Sequence, residues 1–208
     1  KAIKFEAKSG EKLTDNNDYS ISNLIIRFDG GAANIPPTYP AHVSSFEGRT
    51  VQTKFGEQKV FNVEFQIAEE VDKMQIIKHM YEDDELIPVM EDGKTVKIAA
   101  SFMKGKRFKS TGVWLTENPG EGEGWRNRAY LQFFQGIGVE FPTTEDGKTQ
   151  LAEVEEEDVL GMPALVKINR EFYEKDGEQR STWKVFTATA WKDGKKLAPE
   201  EVGEDVPF

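Results

Sequence analysis

From Lys59 to Ala68 the chain alternates without a break, with Phe61, Val63, Phe65 and Ile67 on one side and Asn62, Glu64 and Gln66 on the other. A period of two sends successive side chains to opposite faces of a strand, so this segment must bury one face and wet the other. Ala41–Phe55 reads as its partner, joined across Phe55-Gly56-Glu57-Gln58. The same grammar returns near the other end, where Leu160–Tyr173 and Gln179–Trp191 flank Lys175-Asp176-Gly177-Glu178. Asp-Gly between alternating segments is a strong hairpin signal, because both residues tolerate the positive φ that a tight turn requires. In this last pair Val166, Ile168 and Phe172 form the inward row, leaving Lys167, Asn169 and Tyr173 outward.

A third hairpin is expected over Lys94–Thr116, turning at Lys104–Arg107 around Gly105. It is basic throughout, with Lys94, Lys97, Lys104, Lys106, Arg107 and Lys109, and interleaves Phe102, Phe108 and Trp114 among those cations. Between strands the period changes. Val71, Met74, Ile77 and Met80 recur at helical spacing in Glu69–Leu86, with acids at the start and Pro88 as the stop. Trp125–Gly138 reads as a second helix, and the acidic stretch from about Pro142 to Asp158 as a linker or surface loop. Tyr19–Phe28 is a further short strand.

Hairpins, inserted helices and Gly-rich connections predict a mainly β protein with inserted helices, an OB-fold-like Greek-key barrel. The alternative is an α+β bent sheet with helices on one face. The expected organisation is an extended arm over 1–18, one domain over 19–195 and an acidic tail over 196–208.

Charge narrows the chemistry. The formal net charge is −10, whereas a generic nucleic-acid binder is usually basic. The acids are concentrated, however, in 69–92, in Glu153–Asp158 and in the last ten residues, while bases gather in 94–109 and 164–198. Fields are screened within about 8–10 Å at physiological salt, so a basic face can act inside an acidic molecule. There is no cysteine, which removes disulfides and thiolate chemistry. His42 and His79 lie far apart without a second ligand at metal spacing, and no nucleophile elbow or phosphate loop is present. No apolar run is long enough for a membrane-spanning helix. The expectation is a non-enzymatic protein with no catalytic residue, no metal and no cofactor.

Cations beside uncovered rings suit a flexible polyanion with exposed π-faces, the cations meeting phosphates and the rings stacking bases. The candidates are Lys97, Lys104, Lys106, Arg107, Phe108, Lys109 and Trp114 in the basic stretch, and Arg126 and Arg128 at the start of the second helix. Lys167, Arg170, Tyr173, Trp183 and Lys184 complete the set from the last hairpin. A rival reading is an acidic interaction module or DNA mimic; a two-metal nuclease is a distant third.

The chain closes on Glu204-Asp205-Val206-Pro207-Phe208. This tip resembles the acidic Pro-Phe ending of bacterial single-stranded-DNA-binding proteins, which recruits replication and repair partners. From Pro40 onward the chain also resembles a family of phage-encoded proteins. The likeness lies in the Phe-alternating strand VFNVEFQI, the Gly-rich middle followed by a short helix, and the late strand pair introduced by Leu160-Gly161. The resemblance implies an oligonucleotide-binding fold, single-stranded DNA as ligand, and replication or recombination proteins captured through the tail. It also implies residence in the cytoplasm of a bacterial host.

Overall fold

The computed structural model describes residues 37–82, 85–145, 147–198 and 201. The expected arm over 1–18, the strand at Tyr19–Phe28 and the tip Glu204–Phe208 lie outside the described residues.

The alternating segments pair as expected. Strands β1 (Thr38–Thr53) and β2 (Gly56–Ile67) form one long antiparallel hairpin. Strands β11 (Pro163–Lys175) and β12 (Glu178–Ala190) form another, turning on Asp176 and Gly177 at φ 57° and 77°. Ala41–Ala164 and Tyr39–Val166 register the two hairpins against each other, giving the order β2-β1-β11-β12. Strands β9 (Arg107–Lys109) and β10 (Val113–Leu115) share the outer edge of β2. The protein is therefore mainly β and antiparallel. Among the described residues no ladder closes the sheet: its two borders meet at a single parallel bridge, Ser110 to Val185, where the Thr111 N–H donates to the Val185 carbonyl at 3.4 Å.

One face of the sheet holds the core. Phe61, Val63, Phe65 and Ile67 are buried there, and helix α1 (Arg128–Gly136) lays Tyr130, Leu131 and Phe134 against them. Phe134 meets Phe61 edge-on and Phe46 stacks on Phe61, with centroids 6.3 and 5.2 Å apart. Gly48 is required at this spot because a Cβ would stand 2.9 Å from the Phe61 ring. Each such fully buried side chain stabilises the fold by about 1.5–3 kcal/mol.

Three expectations are corrected. Glu69–Leu86 is not a helix. It is a 3₁₀ turn (Glu69–Lys73), then β3 (Gln75–Ile77), β4 (His79–Glu82) and β5 (Glu85–Pro88). The three-residue steps Val71–Met74–Ile77 are met by one tight turn running into a strand, where the β-branched pair Ile76-Ile77 is at home.

Lys94–Thr116 is not a hairpin. Its parts are β7 (Lys94–Thr95), β8 (Lys97–Ala99), a 3₁₀ turn (Ala100–Met103), β9 and β10. The turn around Gly105 exists, at φ 73°, but β8 pairs with β3 and β9 with β2. Alternation fixes which face a strand buries and leaves its partner open. The remaining short strand, β6 (Met90–Glu91), pairs with β7 across Asp92-Gly93.

The stretch 142–158 is no linker. Leu151 and Val154 are buried in the core, and the stretch runs into a short helix, α2 (Glu156–Val159), that buries Val159. The Tyr130 hydroxyl fastens it by donating to the Ala152 carbonyl at 3.0 Å and accepting the Val154 N–H at 2.8 Å.

Candidate nucleic-acid interface

Where the core face of the sheet runs past the last core residues, it opens into a cleft of about 440 Å³. Phe108, Ile168 and Tyr39 come from β9, β11 and β1, and the β3–β8 pair supplies Ile76, Ile77 and Ile98. Phe108 is on the core face because it pairs with Phe65, itself buried. Ile168 pairs with Val185, and two residues further along the ribbon Arg170 pairs with Trp183. Cross-strand partners share a face, so Arg170 and Trp183 extend the inward row beyond the core, and Trp183 lines the cleft.

The rim is aromatic and cationic. Phe102 and Trp183 line it with 50% and 49% of their surfaces exposed, unlike the buried rings of the core. The Lys106 ammonium sits 5.4 Å from the Phe102 centroid, and the Arg170 guanidinium 5.3 Å from that of Phe172, which stands beyond it on the same face. Arg170 Nε also donates to Ser181 Oγ at 2.8 Å, which fixes the guanidinium. Lys78 and His79 complete the lining, His79 held through Nδ1 at 2.8 Å from the Ile77 carbonyl. At the floor, burial pushes the Tyr39 phenol well above its ordinary pKa, so it stays protonated and can donate.

This geometry sorts the sequence candidates. Lys106, Phe108 and Trp183 converge on the cleft, Arg170 stands beside Trp183 with its guanidinium turned outward over Phe172, and Lys97 stands opposite Ile77 in the β3–β8 pair. Lys104 is close by in sequence but is engaged by Asp72 at 2.7 Å, a hydrogen bond that raises its pKa. Arg107 and Lys109 pair with Gln66 and Glu64 on the opposite, outer face, where Lys109 lies 3.9 Å from Glu47. Lys167 is half-buried in β11, one residue before the inward Ile168. Lys184 is bound to Glu171 at 2.5 Å, and both it and Tyr173 project on the ribbon's other face. Trp114, opposite Val60, lies roughly 20 Å from Gln66 along β2 at about 3.3 Å per strand residue, and Arg126, against Phe55 in the β1–β2 turn, lies farther along, with Arg128 two residues after it at the start of α1. The one continuous trough implied by the sequence is thus divided.

Phe102, Lys78 and His79 were not among the sequence candidates. Phe102 carried a usable signal, since it lies two residues before Lys104 and four before Lys106. Lys78 and His79 carried none, because the expected helix placed them elsewhere.

The fold and site define a mainly β protein with an aromatic, cation-rimmed cleft at the edge of its core. No protein-family model, curated protein or solved structure matches this chain.

Proposed function

We propose that this chain is a non-enzymatic single-stranded-DNA-binding protein that coats exposed strands, without reading their sequence, during replication, recombination or repair of the phage type. The observation that supports it is the gathering of half-exposed Phe102 and Trp183 with Lys106 and Lys78 around one apolar cleft, with Arg170 beside Trp183. Unstacked bases lose their solvated π-faces against such rings for about 1–3 kcal/mol each, while the cations answer the phosphates. Duplex DNA, whose bases face one another, has nothing to place in the cleft. In this reading the sheet is an open relative of the OB barrel, with the Ser110–Val185 bridge standing where a full ladder would close it. The tip Glu204–Phe208 then serves as a separate partner-recruiting element, its Phe208 ring entering a basic-rimmed apolar pocket on a replication or recombination protein.

The test is a gel shift with a labelled single-stranded oligonucleotide and its duplex at low salt. Retention of the single strand alone is expected, with weaker retention by a Phe102→Ala/Trp183→Ala variant. No retention of either would favour the rival, an acidic interaction module that occupies a partner's DNA site.

A further inference from the structure

At the opposite end of β2 lies a second group of uncovered rings that the cleft does not explain. Phe55, in the β1–β2 turn, is 58% exposed, and Trp125, in the 3₁₀ turn before α1, is 64% exposed. The Arg126 guanidinium carbon lies 4.6 Å from the Phe55 centroid and 5.0 Å from the Trp125 ring. Glu123 holds that guanidinium through two bonds, Nε to Oε2 at 3.2 Å and Nη2 to Oε1 at 3.1 Å. The bonds hold the Glu123 carboxyl below its ordinary pKa, so the clamp stays ionised at neutral pH. The turn itself is bolted down. Buried Asn127 accepts the Thr116 N–H at 2.8 Å and donates to the Thr116 carbonyl at 2.9 Å. Three planar groups are therefore fixed against one another with ring surface left open to solvent.

The geometry points to a second base-stacking station on Phe55, Arg126 and Trp125, visited by the same nucleic-acid strand that fills the cleft. It rests on the reading of the chain as a single-strand binder and adds to it a divided footprint. Aromatic rings and arginine planes are the surfaces on which unpaired bases stack. Lys54, with its ammonium 4.9 Å from the Phe55 centroid, makes no ion pair among the described residues and is placed for a phosphate. An apolar peptide covering these rings would desolvate that ammonium and offer it no counter-charge, which is costly. The route between the stations is marked on the outer face of the sheet. Arg107 and Trp114 pair with Gln66 and Val60, even-numbered residues of β2 that share that face. From Gln66 to Gly56 the path is about 33 Å long at roughly 3.3 Å per residue. A strand that reaches both stations gains from the second as an intramolecular event.

The experiment compares single-stranded DNA oligonucleotides of about 4 and about 16 nucleotides, the ends of the range for single-strand binding folds. They are titrated against the wild-type chain and its Trp125→Ala and Phe55→Ala variants. Both rings are exposed, so an unchanged melting temperature is expected and shows that the variants fold. The wild type should bind the longer oligonucleotide more tightly. Each variant should lose at least about fivefold for the longer one and nothing for the shorter. Unchanged affinity of both variants for the longer oligonucleotide overturns the second station and leaves the surface to a protein partner. An equal loss at both lengths also overturns it, because the site would then be undivided. If the wild type binds neither length, the single-strand reading falls as well, an outcome distinct from the other two.

Discussion

Replacing Tyr130 by Phe should change stability in two separable ways. The side chain is wholly buried, and its hydroxyl satisfies both the Val154 N–H and the Ala152 carbonyl of the strap across the core. Phe keeps the ring and orphans a buried donor, at a cost of about 1–3 kcal/mol at neutral pH. For a protein of this length that lowers the melting temperature by roughly 2–4 °C per kcal/mol.

The second effect appears only in alkali. Burial raises the phenol pKa of Tyr130, and likewise of Tyr39, above the ordinary value of 10.0. The folded state keeps these protons while the unfolded chain releases them. Their contribution is therefore full below pH about 10 and is lost as pH rises, by about 1.4 kcal/mol per pH unit for each phenol. Lys59 acts with the same sign above about pH 10.5, since hydrogen bonds to Glu117 and Glu153 raise its pKa, and this background is common to both proteins. Urea midpoints measured from pH 7 to 11 should show Tyr130→Phe less stable at pH 7, with an alkaline slope shallower by about 1.4 kcal/mol per pH unit. Parallel alkaline slopes would refute the argument that Tyr130 is held protonated by burial.

Other outcomes follow from single contacts. Lys106 makes no ion pair among the described residues, whereas Lys104 is committed to Asp72. Lys106→Ala should therefore reduce the salt dependence of single-strand affinity by about 0.7 in log–log slope, and Lys104→Ala by much less. With Lys104, Lys109 and Lys184 engaged by acids, the wild-type slope should correspond to two to four phosphates, roughly −1.4 to −2.8. Gly161→Ala forces a side chain into φ +75° with its Cβ 2.3 Å from the Leu197 carbonyl oxygen. It should loosen the segment after Trp191 and speed tryptic cleavage at Lys195 and Lys196. Asn127→Ala removes both bonds to the Thr116 backbone and should cost about 1–3 kcal/mol in chemical denaturation.

The two long hairpins were legible because their information is local. Asp176-Gly177 names its own turn, and the run Phe61–Ile67 names its own buried face. Asp92-Gly93, at φ 49° and 74°, carried the same signal for β6 and β7 but sat beside a stretch whose three- and four-residue steps imitated a helix. The partners of β8, β9 and β10 were not legible, since alternation is silent on which distant strand completes the ladder. The site inherits that limit. Trp183 and Lys106 meet at the cleft only because strands remote in sequence are brought together, while Lys104 and Lys184 are drawn to acids that their own neighbourhoods did not announce.

The most direct measurement is photo-cross-linking of a single-stranded oligonucleotide of about 4 nucleotides carrying a photoreactive base, followed by mapping of the attached peptides. Adducts on the peptides that contain Phe102 and Trp183 are predicted. Adducts confined to the α1 side of the molecule, or none with bound oligonucleotide present, would contradict the assignment of the cleft.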